Sequence, residues 1–133
     1  MEGEKRKILI VDDDTFLLDM YAFKFSQNNF EVFAARSAMQ ALEKLKGGLA
    51  PDIMLMDIIM PEMNGFEMLA QINKENLCAN CVKIILSNKS QQADIDEGDK
   101  LGAAGYIVKA NSTPTEVVEQ VVKILEKKAI NKS

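Results

Sequence analysis

The sequence contains no histidine and no tryptophan, and only two cysteines and three prolines among its 133 residues. Without histidine there is no Ser-His-Asp triad, no imidazole metal site and no capacity to act as a phosphohistidine carrier. The cysteines, Cys78 and Cys81, cannot complete a four-ligand thiolate or imidazole zinc site within one chain. A thioredoxin-type pair opens a helix after a strand, whereas this one precedes the apolar run Val82 to Leu86, so it is read as two reduced thiols in a loop. Long apolar runs are missing as well. After Met1-Glu2-Gly3-Glu4-Lys5-Arg6-Lys7 comes only Ile8 to Val11, far too short for a signal-peptide core or a membrane span. The expectation is a cytoplasmic protein with no membrane contact. Nor is there an excess of basic charge: 16 Lys and Arg against 20 Asp and Glu give a net charge of −4, which argues against a nucleic-acid-binding surface.

What is present is ordinary globular material, 47% hydrophobic and 27% charged, which excludes disorder and disulfide scaffolding. The length suits one domain over residues 1–133, with a core from about 7 to 127 and fraying polar ends at Met1 to Lys7 and Lys127 to Ser133. No linker, low-complexity stretch or sequence repeat interrupts it. Five short apolar runs recur: Ile8 to Val11, Val32 to Ala35, Ile53 to Met56, Val82 to Leu86 and Tyr106 to Val108. Each has strand length and, Lys83 apart, is apolar on both faces, as in parallel strands covered by helices. Helical periods lie between them. Ser37 to Gln40 and Thr113 to Glu116 read as capping boxes, the second with Pro114 at the first helical position. Val117, Val118, Val121, Val122 and Leu125 form one apolar stripe. The helix near Thr15 to Asn28 is apolar nearly all round and is expected to be deeply packed. The acidic segment Gln91 to Leu101, with Gly98 inside it, is the weakest helix. Five strand–helix units in alternation predict a doubly wound α/β sandwich with right-handed crossovers.

Ligands in such folds bind outside the carboxyl ends of the strands. Strand one ends at Asp12-Asp13-Asp14, strand three at Asp57, strand four at Ser87 and strand five at Lys109. An order 2-1-3-4-5 makes the ends of strands one, three and four neighbours, with Lys109 beside them. Converging carboxylates repel one another unless some are protonated or a cation sits among them. An all-oxygen donor set with room for waters and a phosphoryl oxygen suits Mg²⁺. With the negative charge screened, the Asp57 carboxylate is a nucleophile able to attack phosphorus in line, Lys109 a partner for one phosphoryl oxygen and the Ser87 hydroxyl a donor to another. Each residue alone has a plainer use: Asp12 to Asp14 as helix caps, Ser87 in a turn, Tyr106 in packing, Lys109 as a solvated charge. Met54, Met56, Met60, Met63 and Met68 are assigned to the core and its adjoining loop.

The ordered set Ile8-Leu9-Ile10-Val11-Asp12-Asp13-Asp14, Met56-Asp57-Ile58-Ile59-Met60-Pro61-Glu62-Met63-Asn64-Gly65, Ser87 and Tyr106-Ile107-Val108-Lys109 resembles the receiver domain of bacterial two-component response regulators over almost the whole chain. The resemblance implies a flavodoxin-like (βα)5 fold with strand order 2-1-3-4-5. It also implies Asp57 as phosphoacceptor, with Asp12, Asp13, Asp57 and the Ile59 carbonyl around Mg²⁺. Lys109 is implied as the phosphate-binding lysine and Ser87 with Tyr106 as a switch pair. A sensor histidine kinase or phosphotransfer protein is the implied donor. Such a protein catalyses its own phosphorylation and is not a turnover enzyme. Two positions depart from the family. Ala110 follows Lys109 where most receivers carry a proline in a cis bond, so the bond here is expected to be trans, strained or mixed. Asn88 replaces a smaller residue, and its side chain is expected to narrow the route to Asp57. Two other functions compete: a receiver-like scaffold that is never phosphorylated, and a phosphatase with its aspartyl nucleophile on strand one. The second wants a small Thr or Val where this chain has Phe16. No output domain is visible, and the tail Glu126 to Ser133 suits a linker as well as a terminus.

Overall fold

In the computed structural model, which describes residues 5–132, every apolar run forms a strand. They are β1 (Arg6–Val11), β2 (Phe30–Ala35), β3 (Ile53–Met56), β4 (Val82–Ser87) and β5 (Gly105–Val108). All neighbours are parallel, in the order β2-β1-β3-β4-β5. Parallel neighbours require crossovers, supplied here by α1 (Thr15–Gln27), α2 (Ala38–Lys46), α3 (Gly65–Lys74) and α4 (Gln92–Lys100), while α5 (Pro114–Lys132) follows the last strand. The strand alternation divides the core. Ile8, Ile10, Ile53, Leu55, Ile84, Leu86 and Ile107 meet α1 and α5 on one face. Leu9, Val11, Met54, Met56 and Ile85 meet α2 and α3 on the other. The expected doubly wound sandwich is the one observed. Met54, Met56, Met60 and Met68 are buried and Met63 packs against them.

The helix starts follow local chemistry. Asp14 caps α1, its carboxylate accepting from the Leu17 N–H at 3.1 Å. Ser37 caps α2, although the Gln40 side chain returns to the Arg36 N–H, not to that of Ser37. Thr113 and Glu116 exchange hydrogen bonds at the start of α5, behind Pro114. A further capping box, Asn64 with Glu67, opens α3; the sequence reading did not single it out. Gly65, the first residue of α3, donates its N–H to the Ile58 carbonyl at 2.8 Å. A Cβ there would stand 2.4 Å from the Asp57 carbonyl oxygen, so only glycine lets the helix approach the end of β3 this closely.

Two expectations need correction. α1 is not deeply packed: Leu18, Tyr21 and Phe25 are buried, but Phe16 and Phe23 are 72% and 63% exposed. A helix laid on one face of a sheet buries a single stripe, whatever its other faces carry. Regular structure also reaches further into the polar ends than expected. Arg6 and Lys7 pair with Phe30 and Glu31, since backbone pairing does not depend on apolar side chains, and α5 continues to Lys132. Met1 to Glu4 and Ser133 lie outside the described residues.

The acidic segment does form α4, and Gly98 has a packing role. A Cβ on it would lie 2.7 Å from Ile85 Cδ1 and 3.5 Å from the Tyr106 ring. At the helix start, Asp94 accepts from Lys89 Nζ at 2.6 Å and from the Gln91 N–H at 2.9 Å. The hydrogen bond from Lys89 holds the Asp94 carboxyl below its ordinary value of 3.8, against the opposing effect of burial.

Two outcomes are expected. Gly65→Ala should destabilise the fold by about 1–3 kcal/mol in urea unfolding, the usual cost of overpacking; wild-type stability would contradict the close approach. The folded Asp94 carboxyl binds its proton less tightly than the unfolded one. Its contribution is therefore complete above the unfolded pKa and is lost as pH falls through the folded one. Protection of the Gln91 amide, measured against its intrinsic exchange rate, should fall in wild type as pH drops below the ordinary carboxyl range, but Asp94→Ala, with no side-chain acceptor, should be unprotected already at neutral pH. Equal exchange in the two proteins at neutral pH would contradict the capping role.

Candidate functional site

The site forms where the strands stop. Beyond β1 and β3 the backbone pairing runs one residue further, with the Asp12 N–H on the Ala35 carbonyl at 3.1 Å and the Asp57 N–H on the Val11 carbonyl at 3.0 Å. These bonds fix Asp12 and Asp57 side by side, at 2% and 7% exposure, with Asp13 exposed next to them. One carboxylate oxygen from each of Asp12, Asp13 and Asp57 lies within 4.8 Å of the others. Asp12 Oδ1 accepts from the Asp14 N–H at 3.0 Å. Asp57 Oδ1 accepts from the Ile58 and Ile59 N–H groups at 2.7 and 3.2 Å.

Lys109, in the short 3-10 turn Lys109–Asn111 after β5, closes the ring. Its ammonium lies 2.7 Å from Asp12 Oδ2 and 2.6 Å from Asp57 Oδ2. Burial opposes its charge, but hydrogen bonds to Asp12 and Asp57 outweigh burial and hold its pKa above the ordinary lysine value. Burial raises the Asp12 carboxyl; the bond from Lys109 counters this in part, and the Asp57 charge adds to the rise. One buried ammonium is thus paired with two buried carboxylates, with the exposed Asp13 beside them, leaving local negative charge in excess. The donor set is all oxygen, which fits a hard divalent cation such as Mg²⁺.

Ser87 and Tyr106 meet elsewhere, at Lys89. The buried Ser87 Oγ accepts from the Lys89 N–H at 3.2 Å, and the Tyr106 hydroxyl donates to the Lys89 carbonyl. Together with the Asp94 bond, Lys89 ties the end of β4, the start of α4 and β5 into one knot. Desolvation pushes the Tyr106 phenol up to about 12. The sequence reading missed Lys89, because its role arises from three elements meeting and leaves no local spacing signal. A second link was missed as well. Asn88 Oδ1 accepts from the Ala110 N–H at 2.7 Å, so its side chain is engaged across the two loops. A proline at 110 would have no N–H to offer. No peptide bond among the described residues is cis.

Asp12, Asp13, Asp57 and Lys109 are therefore brought together, Ser87 and Tyr106 form a neighbouring pair, and Ile59 adjoins Asp57 through its N–H. Cys78 and Cys81 are free thiols in the turn before β4, at the opposite end of the strands. Among the described residues no helix is long and apolar enough to cross a membrane.

Comparison with known proteins agrees with this geometry. The profile of the response regulator receiver domain matches residues 8–123. The chemotaxis protein CheY of Thermotoga maritima is 39% identical over 120 residues, covering 90% of this chain and 97% of that protein. The alkaline phosphatase synthesis transcriptional regulatory protein PhoP of Bacillus subtilis is 29% identical over 94% of this chain but only 50% of its own length. Among solved structures, a CheY-like receiver domain from Methanospirillum hungatei JF-1 superposes with a TM-score of 0.84 at 27% identity, over 96% of this chain and 99% of that one. The chain belongs to the receiver domain family of response regulators.

Proposed function

We propose that the chain is a phosphoacceptor signalling domain, with Asp57 receiving a phosphoryl group from a sensor histidine kinase or phosphotransfer protein. The observation that carries the reading is the Lys109 ammonium between Asp12 and Asp57, with Asp13 in the same ring. Asp12, Asp13 and Asp57, with the Ile59 carbonyl, are the residues to hold Mg²⁺. The ion would supply positive charge that screens phosphoryl oxygens from the carboxylates. A carboxylate oxygen of Asp57 attacks phosphorus in line, the bond to the donor breaks, and an acyl phosphate remains. Lys109, freed from Asp57, pairs with a phosphoryl oxygen. With no histidine in the sequence the chain accepts phosphate and does not carry it as phosphohistidine. It catalyses its own modification without turning over a substrate. The same reading has it act in the cytoplasm, by contact with a protein target and not with nucleic acid through this domain, and treats residues 1–133 as one domain.

The switch follows from the knot at Lys89. A hydroxyl donated from Ser87 to the phosphoryl group draws its loop inward, breaks the present bond from the Lys89 N–H, and lets the Tyr106 ring move against α4 and β5. Converting a 1:99 population to 99:1 needs about 5.5 kcal/mol. Charge-assisted hydrogen bonds contribute roughly 1.5–3 kcal/mol each, so two or three formed in only one state suffice.

The competing readings are less well supported. An inert scaffold has no use for an excess of buried negative charge around one lysine. A phosphatase with its nucleophile on β1 would depend on Asp12 instead of Asp57, and the bulky Phe16 stands where that reading needs a small residue.

Incubation with acetyl phosphate and Mg²⁺ should add the mass of one phosphoryl group to wild type and nothing to Asp57→Asn. A gain that persists in Asp57→Asn, or its absence from wild type, would overturn the assignment. Ser87→Ala should still be phosphorylated while the amide resonances of Tyr106 and α4 keep their unphosphorylated positions, with the switched population reduced about tenfold or more. Wild-type shifts in that variant would rule out Ser87 as the link.

A further inference from the structure

The proposed signalling role makes no use of the thiols of Cys78 and Cys81. They flank the turn that leads into β4, and both are free and half-buried. The Cys81 N–H donates to the Cys78 carbonyl at 3.1 Å. A turn closed in this way brings its end Cα atoms within about 7 Å, the separation below which a disulfide can bridge two cysteines. Each thiol points to a backbone carbonyl, Cys78 Sγ to Pro51 at 3.8 Å and Cys81 Sγ to Val82 at 3.7 Å, and interaction between the two thiols lowers the Cys78 pKa, burial opposing, and raises that of Cys81. The Lys83 ammonium, which donates to the Cys78 carbonyl at 3.2 Å, adds to the positive potential at Cys78.

Cys81 lines a groove of about 570 Å³, with Cys78 three residues before it in the same turn; Lys5, Arg6 and Lys128 also line it, with Asp52 the one acidic residue. Its balance of charge favours a small anionic molecule. We propose that Cys78 and Cys81 are a redox site, forming a reversible intramolecular disulfide by exchange with a small anionic disulfide, of the class of oxidised glutathione, seated in this basic groove.

The exchange balances in two steps. The Cys78 thiolate attacks one sulfur of the oxidant, whose S–S bond breaks and releases one thiolate, leaving a mixed disulfide on Cys78. Cys81 then gives up its proton and attacks Cys78 Sγ, releasing the second thiolate. The pair loses two electrons and two protons, which end on two molecules of the reduced small thiol.

The test uses the reduced full chain, excess oxidised glutathione without air, an iodoacetamide quench and intact mass. Wild type should lose two hydrogens and take up no iodoacetamide, and dithiothreitol should restore both thiols. Cys81→Ser should stop at a glutathione adduct on Cys78. The double variant Lys5→Glu, Lys128→Glu, altered only at exposed positions, should oxidise about tenfold more slowly with oxidised glutathione at low salt. Its rate with uncharged hydroxyethyl disulfide should be unchanged. Wild type that keeps two alkylatable thiols, or that rests as a glutathione adduct, would overturn the thiol pair as a redox site. Equal rates of both proteins with oxidised glutathione would overturn the groove as its binding site.

Discussion

The ammonium of Lys109, held 2.7 Å from Asp12 and 2.6 Å from Asp57, is the interaction on which the rest depends. Buried charges persist only when paired, and here a single cation serves two buried carboxylates with a third, exposed one beside them. The two sheet hydrogen bonds that fix Asp12 and Asp57 force the acidic side chains together, and Asp13 on the next residue completes the crowding. The arrangement is costly for an undecorated fold. Burial raises the Asp12 carboxyl, the direction expected of such crowding. The excess negative charge leaves the site receptive to further positive charge.

A second layer couples this site to the surface. Lys89 accepts at its carbonyl from Tyr106, donates its N–H to Ser87 and pairs its ammonium with Asp94. One residue thus joins β4, α4 and β5, and these are the contacts through which the proposed switch would act. Gly98 contributes by leaving room for the tip of Ile85, which a Cβ would meet at 2.7 Å, beside the Tyr106 ring. The link between Asn88 and Ala110 joins the β4–α4 loop to the turn that carries Lys109.

Much of this was legible in the sequence because strand ends are marked twice, by the halt of an apolar run and by the charged residue that follows. Asp12, Asp57 and Lys109 are found in this way without reference to any tertiary contact. The strand order came from a family resemblance and is the order observed. Other features were hidden for physical reasons. Phe16 and Phe23 give α1 an apolar look, yet no neighbouring layer covers their face. Arg6 and Lys7 look like a polar tail, yet their backbone groups find partners on β2. Lys89 and Asn88 act through carbonyl, amide and loop contacts between elements distant in sequence, where residue type is a poor guide. Asn64 with Glu67 has the spacing of a capping box, but Pro61 and Gly65 make the same stretch read as a loop.

The most direct test of the electrostatic account is thermal unfolding under a Mg²⁺ titration, with the unphosphorylated wild type and Asp13→Asn compared at fixed pH and ionic strength. A ligand that binds only the folded state raises the unfolding temperature as its concentration exceeds the dissociation constant. The account predicts a midpoint that climbs with Mg²⁺ in wild type and stays nearly flat in Asp13→Asn. A wild-type midpoint indifferent to Mg²⁺ would contradict it.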